Sequence, residues 1–286
     1  MTKTKYQALV VLLAILWAGF IGYAQQAESS LLWKISGNNL TEESYIFGTI
    51  HMICKDDFVL KEKVVKAFEA SKQMCFELDL SNPSELMMMD ELLYKEVAIS
   101  SQLDAISASK LDQILRLDYQ TSLKAVDHWP SINIISLMLI KAAECSNLEY
   151  YDLVLMEMGL REKKKMFGLE SISEQFELVE SLYSAKEVLA QLEALEVNKQ
   201  EFKKLVQLYL AEDIDRLLES SKSQEFSDAV FMKRFLTDRN YQWSLKIPKL
   251  IASQSTFIAV GAAHLAGKQG VLQLLRDQGY SVVPVL

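Results

Sequence analysis

Stretches of alternating or continuous apolar residues trade places with helical periodicities in a definite order along the chain. Leu31 to Ser36 and Ser44 to Ile50 read as two short strands, joined by the turn residues Gly37-Asn38-Asn39, which tolerate positive φ. The second strand runs directly into Gly48-Thr49-Ile50-His51. The spacing then predicts a helix over about residues 57–71, a strand through Met74-Cys75-Phe76-Glu77-Leu78-Asp79 and a turn at Asn82-Pro83. Strand, helix and strand within about 35 residues is the size of a βαβ crossover, which predicts that the Ser44 and Met74 strands are parallel neighbours.

From Ser84 to about Trp243 the apolar residues recur mostly at helical spacing, as at Leu178, Leu182, Leu189 and Leu192, with one short strand over Lys165 to Glu170. This predicts a large helical insertion, about residues 84–243, between sheet elements. The last 30 residues repeat the opening theme. A strand over Thr256 to Val260 leads into Gly261-Ala262-Ala263-His264, followed by a helix over about Lys268 to Asp277 and a strand over Ser281 to Val285. The class expected is α/β (α+β), a single domain over residues 25–286.

The first 24 residues stand apart. Lys3 and Lys5 precede the apolar run Ala8 to Ile21 and the small-residue end Gly22-Tyr23-Ala24, the pattern of a signal peptide cleaved after Ala24. The run is shorter than the ~20 residues that span a bilayer comfortably, so an uncleaved membrane anchor is the alternative. Either way the protein is expected outside the cytoplasm, periplasmic or extracellular, with membrane contact only if the segment stays attached.

A formal charge of -8 and a pI near 5.1 argue against a nucleic-acid partner, which would need clustered Lys and Arg. The basic run Arg161 to Lys165 is interrupted by Glu162 and reads as a solvated helix end. Three cysteines, Cys54, Cys75 and Cys145, allow at most one disulfide. Cys54 and Cys75 lie near candidate functional residues, so a bridge or a metal-proximal thiol is conceivable, but the expectation is three small buried apolar residues.

Two of the three histidines, His51 and His264, follow a glycine by three residues at the end of a β-rich run. Glycine there lets the backbone turn or approach a ligand closely, and the histidine then projects at the carboxyl end of the sheet, where α/β folds place ligands. Imidazole serves as a ligand for a divalent metal or as a base near neutral pH. The nearest acids are Glu77 and Asp79, which strand alternation places on one face with Cys75 and does not separate. Glu170 ends the short Lys165 strand in the same manner. The plain alternative is that these are hydrogen-bonded strand-end histidines and helix-capping acids. His128, before Trp129-Pro130, reads as a helix-start residue. Met87-Met88-Met89 read as helix core, although a haem crevice could use them.

Leu32-Trp33-Lys34-Ile35, Tyr45-Ile46-Phe47-Gly48-Thr49-Ile50-His51, Phe76-Glu77-Leu78-Asp79, Gly168-Leu169-Glu170-Ser171, Arg239-Asn240 and Val260-Gly261-Ala262-Ala263-His264-Leu265 resemble, in order and spacing, the signatures of the TraB/GumN family, related to the Tiki proteases. Ser171 stands where the family often has Thr, which keeps the hydroxyl. The resemblance covers about residues 31–285 and implies the EreA/ChaN-like superfamily fold, a central mixed β-sheet with flanking helices. It implies a metal-dependent, peptidase-like hydrolase of peptides or other amides or esters, which with the N-terminal segment would be an exported one. His51, Glu77 and His264 would bind a divalent ion, manganese or cobalt first and zinc as a possibility, or act as catalytic groups. Glu170, Arg239 and Asn240 match secondary signatures. Arg239 could polarise a carbonyl or hold a substrate carboxylate, Asn240 could donate to developing negative charge, or the two could brace the last long helix. No H-E-x-x-H helix is present, so the zincin pattern does not apply. The alternative is a non-catalytic protein of the same fold that binds haem, a metal or a peptide.

Overall fold

The computed structural model describes residues 29–222 and 228–286, so the expected signal peptide, residues 1–24, lies outside the described residues. In chain order the strands and helices are β1 (Leu32–Gly37), β2 (Ser44–Thr49), β3 (Ile53–Cys54), α1 (Glu62–Ala70), β4 (Gln73–Leu78), α2 (Pro83–Leu92), α3 (Ala105–Asp118), α4 (Leu123–Val126), α5 (Ser131–Ala142), β5 (Leu148–Glu149), α6 (Tyr151–Arg161) and β6 (Lys165–Glu170). There follow α7 (Ile172–Leu182), α8 (Ala185–Glu193), α9 (Leu195–Leu210), α10 (Ile214–Lys222), α11 (Ala229–Met232), α12 (Asp238–Ser253), β7 (Thr256–Gly261), α13 (Val271–Asp277) and β8 (Tyr280–Pro284).

Six strands form one mixed sheet in the order β6-β4-β7-β2-β1-β8. The four strands from β6 to β2 are parallel, and β1 runs antiparallel to both β2 and β8. The α/β class is as expected, but one neighbour relation is not. β2 and β4 do not pair, because β7 lies between them and pairs with both. The reason is burial. Every residue of Thr256–Gly261 is buried, and a strand apolar on both faces goes to the centre of a sheet covered by helices. The two Gly-x-x-His strands therefore run side by side, with Gly48 opposite Val260 and Thr49 opposite Gly261.

Two apolar cores hold the molecule together. The larger surrounds the sheet and includes Ile46, Phe68, Phe76, Tyr151, Trp243 and Phe257. The smaller is helical, built from Leu111, Leu115, Val126, Ile134 and Val188, and half-buried Phe202 packs against both. β6 returns to the sheet from among the helices as an edge strand, placing Glu170 opposite Leu78.

Several local expectations change. The helix predicted over 57–71 begins only at Glu62, because Lys55–Asp57 form a 3-10 turn and the chain leaves it extended at Phe58, whose ring packs 4.4 Å from that of Tyr151. The last helix begins at Val271 rather than near Lys268. Met87, Met88 and Met89 are 67%, 37% and 36% exposed on α2, so they are neither helix core nor the lining of a crevice by His51. Cys54 and Cys145 are joined in a disulfide, which corrects the expectation of three unpaired apolar cysteines; Cys75 alone is free and buried. Among the described residues no helix is long and apolar enough to cross a membrane.

Candidate functional site

β2 and β7 deliver their histidines to the same place because each glycine permits a close approach. A Cβ on Gly48 would lie 2.8 Å from Leu265 Cδ1 and 3.0 Å from Ala262 Cα, so the end of β2 abuts the turn that carries His264. A Cβ on Gly261 would lie 3.2 Å from Glu77 Oε1, 3.5 Å from His264 Cδ2 and 3.7 Å from His51 Nε2. The space that a Cβ on Gly261 would take is thus a cradle bordered by both histidines and one acid.

Glu77, not Asp79, reaches this cradle. Its Oε1 accepts from the Gly261 N–H at 2.7 Å, and its Oε2 accepts from Arg239 Nη2 at 2.6 Å and Gln175 Nε2 at 3.1 Å. Asp79 lies past the end of β4 and accepts from the backbone and hydroxyl of Ser81 instead. Burial would raise the Glu77 carboxyl, but at the acid pH where it titrates the charges of His264, Arg239 and His51 together overcome that and hold it down at about 2.

Arg239 sits behind Glu77 with all five N–H groups engaged inside the protein. Nε donates to Glu170 at 3.0 Å, Nη2 to Glu170 at 2.9 Å and to Glu77, and Nη1 to the Phe235 carbonyl and to His264 Nε2, each at 3.2 Å. The Phe235 carbonyl lies in a π-helical turn, Lys233–Thr237, that leads directly into α12; such turns often mark functional segments. Glu170 also accepts from Trp243 Nε1 at 2.9 Å, so it fixes Arg239 and does not itself border the cradle. Asn240 Oδ1 meets His264 Nδ1 at 2.6 Å while its Nδ2 donates to Gln269 O at 2.9 Å. Arg239 and Asn240 thus orient other site groups in this structure, and no N–H of Arg239 is left for a substrate carboxylate.

The two histidines differ in character. His264 is buried, packs on Trp243 with ring centroids 4.3 Å apart, and is lowered to about 3, first by burial and further by Arg239. It is neutral at neutral pH. His51 is accessible from the cleft, its side chain 72% exposed, with Nδ1 3.6 Å from Asp152 Oδ2. Asp152, steadied by the Thr49 hydroxyl at 3.3 Å, is the main reason that His51 is raised to about 9; the partly dry surroundings of the cleft and the charge of Arg239 oppose it and Glu77 assists.

Above the cradle opens a cleft of about 460 Å³ whose floor includes His51, Glu77 and Arg239 and whose walls are mostly apolar side chains of α5 and α7. Sequence reasoning missed Asp152, Gln175 and Trp243. Asp152 lies in the first turn of a helix, where an acid is ordinary, and nothing in its neighbours marks it. His128 stands apart from the site, before the start of α5, with Nδ1 2.8 Å from Lys95 O and its ring stacked on Tyr94.

The donor chemistry of the cradle suits a divalent cation. Two imidazoles, each with its far nitrogen near an orienting oxygen, and one ionised carboxylate converge there, which is the arrangement metal-binding histidines favour. One condition attaches: His264 Nε2 must first give up the hydrogen bond from Arg239. Among the described residues no three His, Cys, Asp or Glu side chains already form a metal-holding group.

Residues 31–284 match the TraB/PrgY/gumN family. The chain is also similar to the metalloprotease TIKI2 of Xenopus tropicalis, 23% identical over 91% of this chain and 60% of the relative. To the metalloprotease TIKI2 of Danio rerio it is 22% identical, over 91% of this chain and 61% of the relative. The chain therefore spans about 60% of the length of these curated relatives. No solved structure matches.

Proposed function

The chain belongs to the TraB/PrgY/gumN family, and from that premise we propose that it is an exported hydrolase of peptide or other amide or ester bonds, working at the cradle over Gly261. The observation that carries the reading is the convergence of His51 Nε2, Glu77 Oε1 and the His264 ring on that one space, at the foot of a cleft. The similarity to two metalloproteases supports it, and the Cys54–Cys145 disulfide supports an oxidising compartment outside the cytoplasm.

His51, Glu77 and His264 would hold the divalent ion, manganese, cobalt or zinc, which when bound supplies a polarised carbonyl and a more acidic water. The chain's own residues do the rest. Asn240 keeps the His264 proton on Nδ1 so that Nε2 faces the cradle. Asp152 orients His51 so that its Nε2 does the same. Glu77, held at about 2, stays ionised and presents a carboxylate to the cradle. Arg239, clamped by Glu170, fixes the carboxylate of Glu77. In a metal-free version, water adds to the carbonyl carbon and its proton passes to Glu77. His51, protonated at neutral pH, gives its Nε2 proton to the leaving amine as the C–N bond breaks, and the proton on Glu77 then restores His51.

The test is calorimetric titration of manganese, cobalt and zinc into the protein, beside His51→Ala, Glu77→Ala and His264→Ala, with peptide cleavage followed in parallel. One bound ion and cleavage, both lost in all three folded variants, is the expected result. Cleavage without binding selects the metal-free version, and cleavage that survives His51→Ala and His264→Ala ends the hydrolase reading at this site. A second reading, a protein that binds haem or a peptide without turnover, is favoured by one observation, the accessible His51 beneath apolar walls. A haem absorption band lost in His51→Ala, with no cleavage of any peptide, would replace the first reading with this one.

A further inference from the structure

Resting on the hydrolase reading of the same site, we propose that the cleft selects peptides by one bulky, uncharged apolar side chain placed beside the scissile bond. The walls make the first half of the argument. α5 turns Ile132, Ile135, Leu139 and Ile140 into the cleft, residues spaced at i, i+3, i+7 and i+8 on one helical face, and α7 supplies Leu178 and Val179 opposite. Leu139 and Ile140 remain 43% and 48% exposed, so this apolar face is left uncovered within a few residues' reach of the cradle. The same cavity takes in His51 and Glu77, so a side chain seated between the two helices belongs to a residue whose backbone passes over the reacting groups.

Charge makes the second half. Every N–H of Arg239 is engaged by Glu77, Glu170, Phe235 O or His264, leaving no donor for an acidic side chain. Glu77 and Glu170 are both paired with that guanidinium, leaving neither free for a basic one. His51 turns its Nδ1 to Asp152 and its Nε2 over the cradle, on the floor of the cleft rather than between the helices. A charged side chain seated between the apolar faces of α5 and α7 would lose its hydration and meet no opposite charge on those walls, whereas Leu or Phe would cover apolar surface that is now wet.

The experiment measures both binding and cleavage of a series of capped peptides, Gly-Gly-Ser-X-Ser-Gly-Gly with X as Leu, Phe, Ser, Asp or Lys. The proteins are wild type, Leu178→Asp and Leu139→Asp, each checked for folding by its melting curve. The size of one apolar pocket contact predicts that wild type favours Leu and Phe over Asp and Lys by about tenfold or more. Leu178→Asp should abolish that preference and shift it toward Lys; Leu139→Asp, at a half-exposed wall position that the fold tolerates, provides the same test if the first variant unfolds. Equal handling of all five peptides, or no binding and no cleavage of any, overturns the proposal. Cleavage without selectivity leaves the hydrolase reading standing and removes this one. Selective binding without cleavage removes the hydrolase reading and, with it, the placement beside a scissile bond.

Discussion

Arg239 Nη1 lies 3.2 Å from His264 Nε2, and because a guanidinium only donates, the lone pair of His264 must be on Nε2 and its proton on Nδ1. Asn240 Oδ1 receives that proton at 2.6 Å, its own orientation set by the donation from Nδ2 to Gln269 O. Asn240→Leu removes the acceptor and leaves a buried N–H without a partner, which costs about 1–3 kcal/mol of stability. Nitrogen NMR of the imidazole should show a single Nδ1–H form in wild type and a mixture in the variant. The same form in both would mean that Arg239 alone decides the tautomer.

Asp152 is expected to control the charge of His51. In the metal-free protein His51 is raised to about 9 chiefly by its interaction with Asp152. Asp152→Asn should bring its titration down toward the ordinary histidine range near 6.5, read from the ring proton shifts against pH. The group is raised in the folded state, so its contribution to stability is complete below the unfolded value and disappears as pH rises through about 9. The variant should therefore lose the part of the alkaline stability slope that wild type shows between those limits. An unmoved titration would remove Asp152 from the site.

Glu212 gives the fold an acid limit remote from the cradle. Its carboxylate accepts from Lys61 and Lys63 Nζ, each at 2.6 Å, and from Leu31 N at 2.8 Å, tying the start of the sheet to α1 and α10's approach. Burial raises it, but the lysine hydrogen bonds prevail and hold it at about 2, against 4.5 for the free group. A carboxylate lowered in the folded state stabilises above the unfolded value and loses that contribution as pH falls from about 4.5 to 2. Allowing for solvent screening through half-exposed Lys61, the loss is on the order of 2 kcal/mol. Glu212→Gln should be less stable than wild type at pH 7 in urea melts and nearly equal to it at pH 2; parallel curves at both would refute the assignment.

The disulfide closes a span of 91 residues and joins the chain just after His51 to the loop that precedes Asp152. A closed loop of that length is worth about 4.6 kcal/mol in chain-entropy terms. Cys54→Ser with Cys145→Ser should lower the melting temperature, and a reducing agent should lower that of wild type to match while leaving the double variant unchanged. A wild type indifferent to reductant would contradict the bridge.

Much of this site is legible in the sequence, and for reasons now visible. Gly48 and Gly261 precede their histidines because each leaves room that a Cβ would take from the turn or the cradle. Glu77, Glu170 and Arg239 form one hydrogen-bonded cluster behind the histidines, and Asn240 joins it through His264. What pattern does not carry is order in space. Local length suggests that β4 follows β2 across the sheet, but the fully buried β7, far along the chain, fits the centre better than either neighbour. Alternation likewise does not separate Glu77 from Asp79, because the strand ends between them at Leu78. Asp152 and Gln175 act through distance alone, from helices whose own patterns are ordinary.

Gly261→Ala gives the sharpest separation of fold from function. Gly261 has φ -54 and ψ 133, which alanine adopts without strain, so the backbone does not object. The added methyl would stand 3.2 Å from Glu77 Oε1, a slight crowding, and in ordinary contact with His264 Cδ2 at 3.5 Å and His51 Nε2 at 3.7 Å. The hydrogen bond from Gly261 N to Glu77 at 2.7 Å is made by the backbone and survives. The stability cost is therefore about 1 kcal/mol or less, at the low end for small-to-large changes. The methyl nevertheless fills the space in which a water or an ion would meet His51 and Glu77. Melting curves should nearly superimpose, while divalent-ion binding and peptide cleavage fall by at least about a hundredfold, the scale of a 1 Å misplacement at a reacting centre. A variant that melts like wild type and also turns over like it would show that the reacting groups meet somewhere other than over Gly261.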